Sequence, residues 1–288
     1  MPPSQGPLIP RRRLGHELRK LREAAGLQLV DAARRLECSP SKVSRLENGQ
    51  GLPKLRDVRD LLDLYEVRDH RLRTRLQGLA TASQDEGWWS DHPEAWPPNL
   101  GSYISLESAA SEMLSFSGFG IYGLAQIPKY CWEVFRNNFP DAPDSEIDQL
   151  VEIRGRRQRY VLNRLGELKI TAVIDECALH RVVDSADTMR KQLDNLIDFA
   201  EHDGVDLRIF PYSTGYSLGI QCNYVIFTFD NDTDQDTVYQ ELSGGDRFSA
   251  QETEVKKYRN IFTNLLSRCP DHKSSLDLIE KVKRTNYE

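Results

Sequence analysis

The sequence has few cysteines, no long apolar run and no recognisable catalytic motif. Its five cysteines are odd in number, lie far apart and form no Cys-x-x-Cys pair. This pattern argues against a disulfide framework or a zinc ribbon and favours a reducing cytoplasm. No stretch approaches the ~18 apolar residues that a membrane span needs. No apolar run follows Arg11–Arg13 either, so we expect no signal peptide and a cytoplasmic protein without membrane contact.

Signatures of catalysis and metal binding are also missing from the sequence. There is no Gly-x-Ser-x-Gly elbow and no paired Cys/His signature, and the six histidines show no metal-ligand spacing. An acidic run over 230–236 resembles a calcium loop, but Gln235 stands where the EF-hand turn needs Gly, which favours a solvated hairpin turn. We therefore expect no enzyme, no metal and no cofactor.

Charge is present, and it is unevenly distributed. Residues 1–78 hold 17 Lys and Arg against 10 Asp and Glu, a net charge of +7. The remaining residues hold 21 basic and 34 acidic side chains, a net charge of −13. A basic head on an acidic body is the pattern expected when only the head meets phosphate. The alternative is a chance asymmetry that merely makes the surface soluble.

The basic head shows helical periodicity. Leu14, Leu18 and Leu21 recur at helical spacing, and Gly26 closes that helix. A second helix has Leu29, Ala32, Ala33 and Leu36 on its inner face. The small side chain of Ala33 allows a neighbouring helix to approach closely.

A third helix is predicted to start after Ser39, because this hydroxyl is a good N-cap and Pro40 suits a first helical turn. Val43 and Leu46 should point into the core. The outer face should present Ser41, Lys42, Ser44 and Arg45. Asn48-Gly49 ends the helix, since Gly49 can adopt the left-handed conformation of a C-cap.

This segment resembles the Xre/Cro-type helix-turn-helix of phage repressors and bacterial regulators, over roughly residues 14–65. The residues that carry the resemblance are Ala33, Leu36, Ser39, Val43, Ser44, Leu46, Glu47, Asn48 and Gly49. The resemblance implies that Ser41, Lys42 and Arg45 read base edges, with Pro40 at an adjacent contact position. It makes Ser39 and Ser44 phosphate partners.

The sequence departs from that family at one position. Many Xre proteins carry a phosphate-clamping Gln early in the second helix, where this chain has Leu29. Backbone anchoring would then come from Arg34, Lys54 or the arm at Arg11–Arg13. The alternative for each of these basic residues is a solvated helix face.

Beyond the head we predict an α+β domain with a small mixed or antiparallel sheet. A helix is expected over 103–116, then helices over 128–139 and 144–166. Strands are predicted over 168–174, 205–210, 223–229 and 237–242. Further helices are predicted over 189–202, 252–268 and 274–283. The predicted organisation is a disordered basic arm over 1–12, a helix-turn-helix domain over 13–80, a Trp/Pro-rich connector over 81–102 and an acidic regulatory domain over 103–288.

The acidic body resembles the C-terminal domain of WhiJ-like, antitoxin-like bacterial regulators. The resemblance lies in Arg154-x-x-Arg157-Gln158, the run over 173–181, Gln192-Leu193, the run over 209–212, Val238-Tyr239-x-Glu241 and Ser274-Ser275. It implies a transcriptional regulator, and a small neighbour-encoded partner protein for many members.

Four charged residues of the body are candidate ligand or partner contacts: Arg157, Glu176, Arg181 and Glu241. The two carboxylates stand at predicted strand ends and are expected to form a buried network with the arginines, since buried charges must be paired. A ligand pocket is the alternative.

The sequence thus predicts a homodimeric regulator that binds double-stranded DNA. The alternative is an antitoxin-like module that mainly sequesters a small partner and regulates its own gene.

Overall fold

The chain folds into two compact units in a computed structural model, which describes residues 8–84, 99–230, 234–242 and 245–288. One unit extends to Ala109 and takes in Asp234, and the other holds the rest from Ala110. Within the described residues, no helix is both long and apolar enough to cross a bilayer.

Helices are the regular elements of the first unit within its described residues. Its helices are α1 (Leu8–Ala24), α2 (Leu29–Arg35), α3 (Pro40–Glu47), α4 (Leu55–Leu64), α5 (His70–Ala82) and α6 (Leu100–Ala109). Fully buried side chains from four of them form the core: Leu14 and Leu18 of α1, Val43 of α3, Leu61 of α4 and Leu76 of α5. Burial of these leucines is the main stabilising contribution, at about 1.5–3 kcal/mol for each side chain.

The prediction of a disordered basic arm over 1–12 is wrong for residues 8–12, which start α1. Ile9 and Arg11 are 3% and 1% exposed, so this turn is packed rather than free. The backbone N–H of Ile9 donates to Oγ of Ser105 in α6 at 3.1 Å. The Pro/Gly-rich composition was misleading because Pro10 is tolerated in a first helical turn. Residues 1–7 lie outside the described residues.

Most of the predicted connector over 81–102, with its three tryptophans and three prolines, lies outside the described residues, which stop at 84 and resume at 99. The predicted domain boundary at 102/103 falls inside α6.

The second unit combines helices with a six-stranded mixed sheet. Its helices are α7 (Pro128–Asn138), α8 (Asp144–Leu162), α9 (Cys177–His180), α10 (Ala186–Ala200), α11 (Glu252–Ser267) and α12 (His272–Asn286). Its strands are β1 (Glu112–Ser117), β2 (Lys169–Asp175), β3 (Val205–Phe210), β4 (Asn223–Thr228), β5 (Thr237–Glu241) and β6 (Arg247–Ser249). This architecture confirms the predicted α+β class.

The sheet has a parallel half and an antiparallel half. The strand order is β3-β2-β1-β4-β5-β6, with β1, β2 and β3 parallel and the other three pairings antiparallel. The parallel strands are in register so that Phe116 lies beside Val173 and Ile174 beside Ile209. Their carboxyl ends therefore meet at one edge of the sheet.

Helices cover the sheet on both faces. Phe116 and Val173 pack on Phe262 and Leu265 of α11. On β3, Phe210 packs on the same face as α11, so the adjacent Ile209 faces the opposite side of the sheet. The backbone N–H of Ile209 donates to Oγ of Ser275 in α12 at 3.1 Å. Alternate strand residues are buried against different helices, which explains the nearly continuous apolar runs of the parallel strands.

The helix predicted over 103–116 is wrong in its second half. α6 ends at Ala109, and residues 112–117 form β1 at the centre of the sheet. Met113 and Leu114 continue the helical spacing of Leu106 and Ala110, so the local pattern favours a helix. Pairing with β2 on one side and β4 on the other overrides that local preference. The short β6 and α9 were not predicted.

Candidate DNA-binding surface

The α2-turn-α3 unit is built by local signals at each end of α3. Oγ of Ser39 accepts a hydrogen bond from the backbone N–H of Lys42 at 3.3 Å, and Pro40 occupies the first helical position. After α3, Gly49 has a φ of +66° and follows the C-cap residue Asn48. The structure confirms the predicted N-cap and helix end.

The faces of α3 are divided as the sequence predicts. Val43 and Leu46 are 0% and 8% exposed and belong to the core of the first unit. Ser41, Lys42 and Arg45 are exposed, while Ser44 is half-buried. The helix therefore presents a polar, basic face to solvent while its apolar face fixes its position.

Two basic side chains on this face differ in their partners. Nζ of Lys42 is 3.1 Å from Oδ2 of Asp57, in the first turn of α4. The guanidinium of Arg45 forms no hydrogen bond or ion pair with any residue in the described part of the chain. Arg45 is thus the exposed charge of α3 that is free to bind an external acceptor.

The predicted phosphate-binding residues lie on neighbouring elements. The side chain of Arg34, in the last turn of α2, is 82% exposed and stands 3.8 Å from Asp31. Lys54 is exposed at the N-cap position of α4. Gln28, which sequence reasoning passed over, is exposed at the N-cap of α2, one position before Leu29.

A buried ion pair anchors α3 to α1. The guanidinium of Arg22 donates from Nε and Nη2 to the two carboxylate oxygens of Glu47, at 2.7 and 2.8 Å. Its Nη1 donates to the carbonyl of Leu27 at 2.9 Å. The side chains of Arg22 and Glu47 are 8% and 4% exposed. The hydrogen bonds to Glu47 raise the pKa of Arg22, and burial raises the pKa of the neighbouring Tyr65.

The backbone of α1 also touches the end of α3. A Cβ added at Gly15 would lie 2.4 Å from the carbonyl oxygen of Glu47 and 2.6 Å from that of Leu46. Only glycine permits this approach. Sequence reasoning used Glu47 as part of a motif but missed Gly15 and Arg22, because partners on another helix leave no local spacing signal.

The four charged candidates of the second unit do not form the expected buried network, because Arg181 and Glu241 are exposed. Glu176 accepts the N–H of Tyr212 at 2.7 Å, and Glu241 accepts from Asn223 at 2.9 Å. Glu176 and Arg181 stand at the two ends of α9.

The fourth of these candidates, Arg157, lies half-buried on α8, while Glu241 ends β5. The four residues therefore stand on three separate elements.

Family comparisons agree with this geometry. Residues 13–76 match a helix-turn-helix domain. This match assigns the protein to the broad class of DNA-binding regulators. Residues 100–281 match a family described as a domain of unknown function, DUF5753. This match covers more than half of the chain, so the protein belongs to the DUF5753 family. No curated protein and no solved structure matches the chain significantly.

Proposed function

We propose that the protein is an Xre-type transcriptional regulator that reads a specific DNA sequence by placing α3 in the major groove. The observation that carries this proposal is the exposed face of α3. There the guanidinium of Arg45 has no partner among the residues that the structure describes, and the apolar face of the helix is buried in the core. An eight-residue helix is about 12 Å long, and the major groove is about 12 Å wide.

Each exposed residue of α3 has a chemical role in this proposal. The fork of Arg45 suits the O6 and N7 acceptors of guanine. Ser41 offers a hydroxyl to either base edge, and Pro40 lies beside it at the start of the helix. The Ser39 hydroxyl caps α3, where the positive end of the helix dipole favours a phosphate.

Lys42 needs to exchange a partner before it contacts DNA. Its ion pair with Asp57 is exposed on the lysine side, and exposed pairs contribute about 0–1 kcal/mol. A guanine or phosphate can replace that carboxylate at little cost. Asp57 thus holds the lysine near its contact position while repelling phosphates that approach out of register.

Phosphate contacts would position the helix on the duplex. Arg34 ends the helix before α3, Lys54 precedes the helix after it, and Ser44 lies on α3 itself. Gln28 supplies an amide one residue before the position of the missing family glutamine. Such contacts fix register without reading sequence. The net charge of +7 over residues 1–78 also favours phosphate binding by this part of the chain.

The proposal includes a homodimer, because one helix-turn-helix head covers only a half-site of about one turn of DNA. The C-terminal unit would supply dimerisation and the binding of an effector or a partner protein. The role is binding rather than catalysis, and a DNA target implies the cytoplasm.

The test is selection of bound sites from a random DNA pool, followed by binding isotherms at fixed salt, for the wild type, Arg45→Ala and Arg71→Ala. Arg71→Ala is the matched control, since Arg71 is also an exposed arginine of the first unit but lies on α5. We expect Arg45→Ala to lose about 10- to 100-fold in specific affinity and to relax one position of the motif.

Unchanged affinity and motif in Arg45→Ala, with Arg71→Ala equal to wild type, would overturn the proposed reading helix. Lys54→Ala should instead weaken all sequences alike and reduce the salt dependence by about one phosphate contact.

An antitoxin-like role is the second candidate. It is favoured by exposed large apolar side chains of the second unit, among them Val182 at 57% and Leu218 at 55%. It predicts a stable complex with a purified, neighbour-encoded small protein, and DNA sites confined to the protein's own promoter. Many genomic sites with no such complex would reject it.

A further inference from the structure

A cavity of about 390 Å³ opens in the second unit at the carboxyl ends of the three parallel strands. Gly118 and Phe119 follow β1, Asp175 ends β2, and Pro211 and Tyr212 follow β3. In open sheets with parallel strands, ligands bind outside these strand ends. The volume lies within the range of cavities that hold small organic ligands.

Exposed aromatic side chains surround this cavity. Phe119, Tyr212 and Tyr216 are 56%, 58% and 70% exposed, although large aromatic side chains are usually buried. A local cluster of exposed aromatic surface marks a site of interaction. The cavity therefore has an apolar wall that no other described residue covers.

The segment that carries two of these rings is held in place. Arg268 donates from Nη2 to the carbonyl of Thr214 at 2.7 Å and from Nη1 to that of Tyr216 at 3.2 Å. Nε2 of Gln221 donates to the hydroxyl of Tyr216 at 3.0 Å, and the ring of His180 stacks on Tyr212. These contacts preorganise the wall, which reduces the entropy lost on binding.

Asp175 is the charged side chain among the described residues that line the cavity. Oδ1 of Asp175 accepts the N–H of Cys177 at 2.9 Å, and no lysine or arginine pairs with this carboxylate within the described ranges. Glu176 adds a second carboxylate beside Tyr212, whose pKa is raised mainly by burial and further by these acidic neighbours. Arg181, which lies near Cys177, and Arg268, which holds Thr214 and Tyr216, are not among the lining residues, and neither forms an ion pair with Asp175 in the described part of the chain.

Cys177 is not a nucleophile at neutral pH. Burial raises the pKa of its thiol to about 11, and Sγ donates to the carbonyl of Gly118 at 2.9 Å. A protonated thiol that is already engaged favours reversible rather than covalent binding.

We propose that this cavity binds a small organic cation, with its ring against Phe119, Tyr212 and Tyr216 and its protonated amine directed at Asp175. Aromatic faces attract cations, and an unpaired carboxylate in a mainly apolar wall supplies the directional contact. Read as an effector site, the cavity rests on the proposed regulatory function. Ligand binding itself is independent of DNA.

The test uses two pairs of probes that share a ring and differ in charge: tryptamine with indole-3-propionate, and phenethylamine with 3-phenylpropionate. Amide chemical shifts of the full chain are followed by NMR during titration without DNA. We expect each amine to bind at least about tenfold more tightly than its acid, with shifts at Gly118, Tyr212 and Tyr216.

Variants locate the binding site. Asp175→Asn keeps the oxygen that accepts the Cys177 N–H, so the fold should persist while amine affinity falls about tenfold or more. Tyr216→Ala should weaken all four probes, and Tyr160→Ala is the control, since Tyr160 is an exposed tyrosine of α8 away from the cavity.

Equal affinity for amines and acids, no binding of any probe at millimolar concentration, or unchanged binding in Asp175→Asn would each overturn the proposal. Because the titration contains no DNA, its result stands whatever the Arg45→Ala experiment gives.

Discussion

The two units place their polar groups differently. The helix-turn-helix unit buries an arginine–glutamate pair in its core, and the same α3 carries Glu47 inside and Arg45 outside. The second unit holds its sheet with apolar side chains and leaves Asp175 and Glu176 at the end of a strand. In the first unit, one short helix thus carries both a buried ion-pair residue and the residue proposed to read DNA. In the second unit, the buried side chains lie within the strands and the proposed ligand contact lies at the end of β2.

The largest expected effect breaks the buried pair. Arg22→Met leaves the carboxylate of Glu47 buried without its partner and removes the hydrogen bond to Leu27. Losing one partner of a buried pair typically costs 3–5 kcal/mol, roughly. We expect this loss in the free energy of unfolding of the first unit, measured by hydrogen exchange with mass spectrometry, which resolves the two units.

Two further variants control that measurement. Arg19→Ala removes an exposed pair with Glu23 on the same helix, where both side chains are more than half exposed, and should cost less than about 1 kcal/mol. Arg22→Met combined with Glu47→Leu should recover much of the stability, because two apolar groups leave no unpaired charge. Equal losses in Arg22→Met and Arg19→Ala would contradict a structural role for the pair.

The next prediction tests the close approach of α1 to α3. In Gly15→Ala the new methyl group would meet two backbone carbonyls of α3, which cannot rotate away as a side chain can. We expect a loss of about 1–3 kcal/mol. The control is Gly78→Ala on α5, where a Cβ meets nothing within 4 Å and helix propensity should add about 0.5–1 kcal/mol. The free energy of unfolding is measured by urea denaturation. A decrease in Gly15→Ala together with an increase in Gly78→Ala would establish that packing, rather than helix propensity, determines the effect at Gly15.

A smaller effect compares equivalent caps in the two units. Ser39 caps α3, and Ser185 caps α10 by accepting the N–H of Thr188 at 3.2 Å. Either serine replaced by alanine should cost about 1 kcal/mol. Only Ser39→Ala should also weaken DNA binding in a gel-shift titration, because its helix is the proposed reading helix. A matching loss of DNA affinity in Ser185→Ala would mean that the units are coupled.

How far the sequence alone leads also differs between the units. The caps, faces and end of α3 were predictable, because Ser39, Pro40 and Gly49 act on neighbouring backbone and Val43 and Leu46 follow a local period. Four strands of the second unit were predictable for the same reason. The partners of these elements were not.

The failures share a physical cause. β1 was predicted as a helix because pairing with β2 and β4 joins segments far apart in the chain, and no local pattern records it. The pair of Arg22 with Glu47 spans 25 residues, and the cavity combines the ends of three strands. Residue types can suggest such sites, but only the topology shows which of them meet.

The smallest expected effect compares two strained turns. Glu37, in the helix-turn-helix turn, has a φ of +49°, and Asp184, before α10, has a φ of +67°. Both lie in the left-handed region, which side chains other than glycine occupy at a cost. In Glu37→Gly the relief of strain and the added freedom of the unfolded chain offset each other, so stability should change by less than about 0.5 kcal/mol.

Asp184→Gly should instead destabilise the protein, because its carboxylate accepts hydrogen bonds from the hydroxyls of Thr188 and Ser185 at 2.6 and 3.0 Å. These bonds lower the pKa of Asp184 below its usual value. A lowered carboxyl pKa contributes stability that is present above the unfolded value of about 4 and is lost as pH falls through the folded one. The deficit of Asp184→Gly in thermal unfolding should therefore shrink as the pH is lowered below about 4. A deficit at Asp184 that does not vary with pH would assign its role to backbone conformation alone.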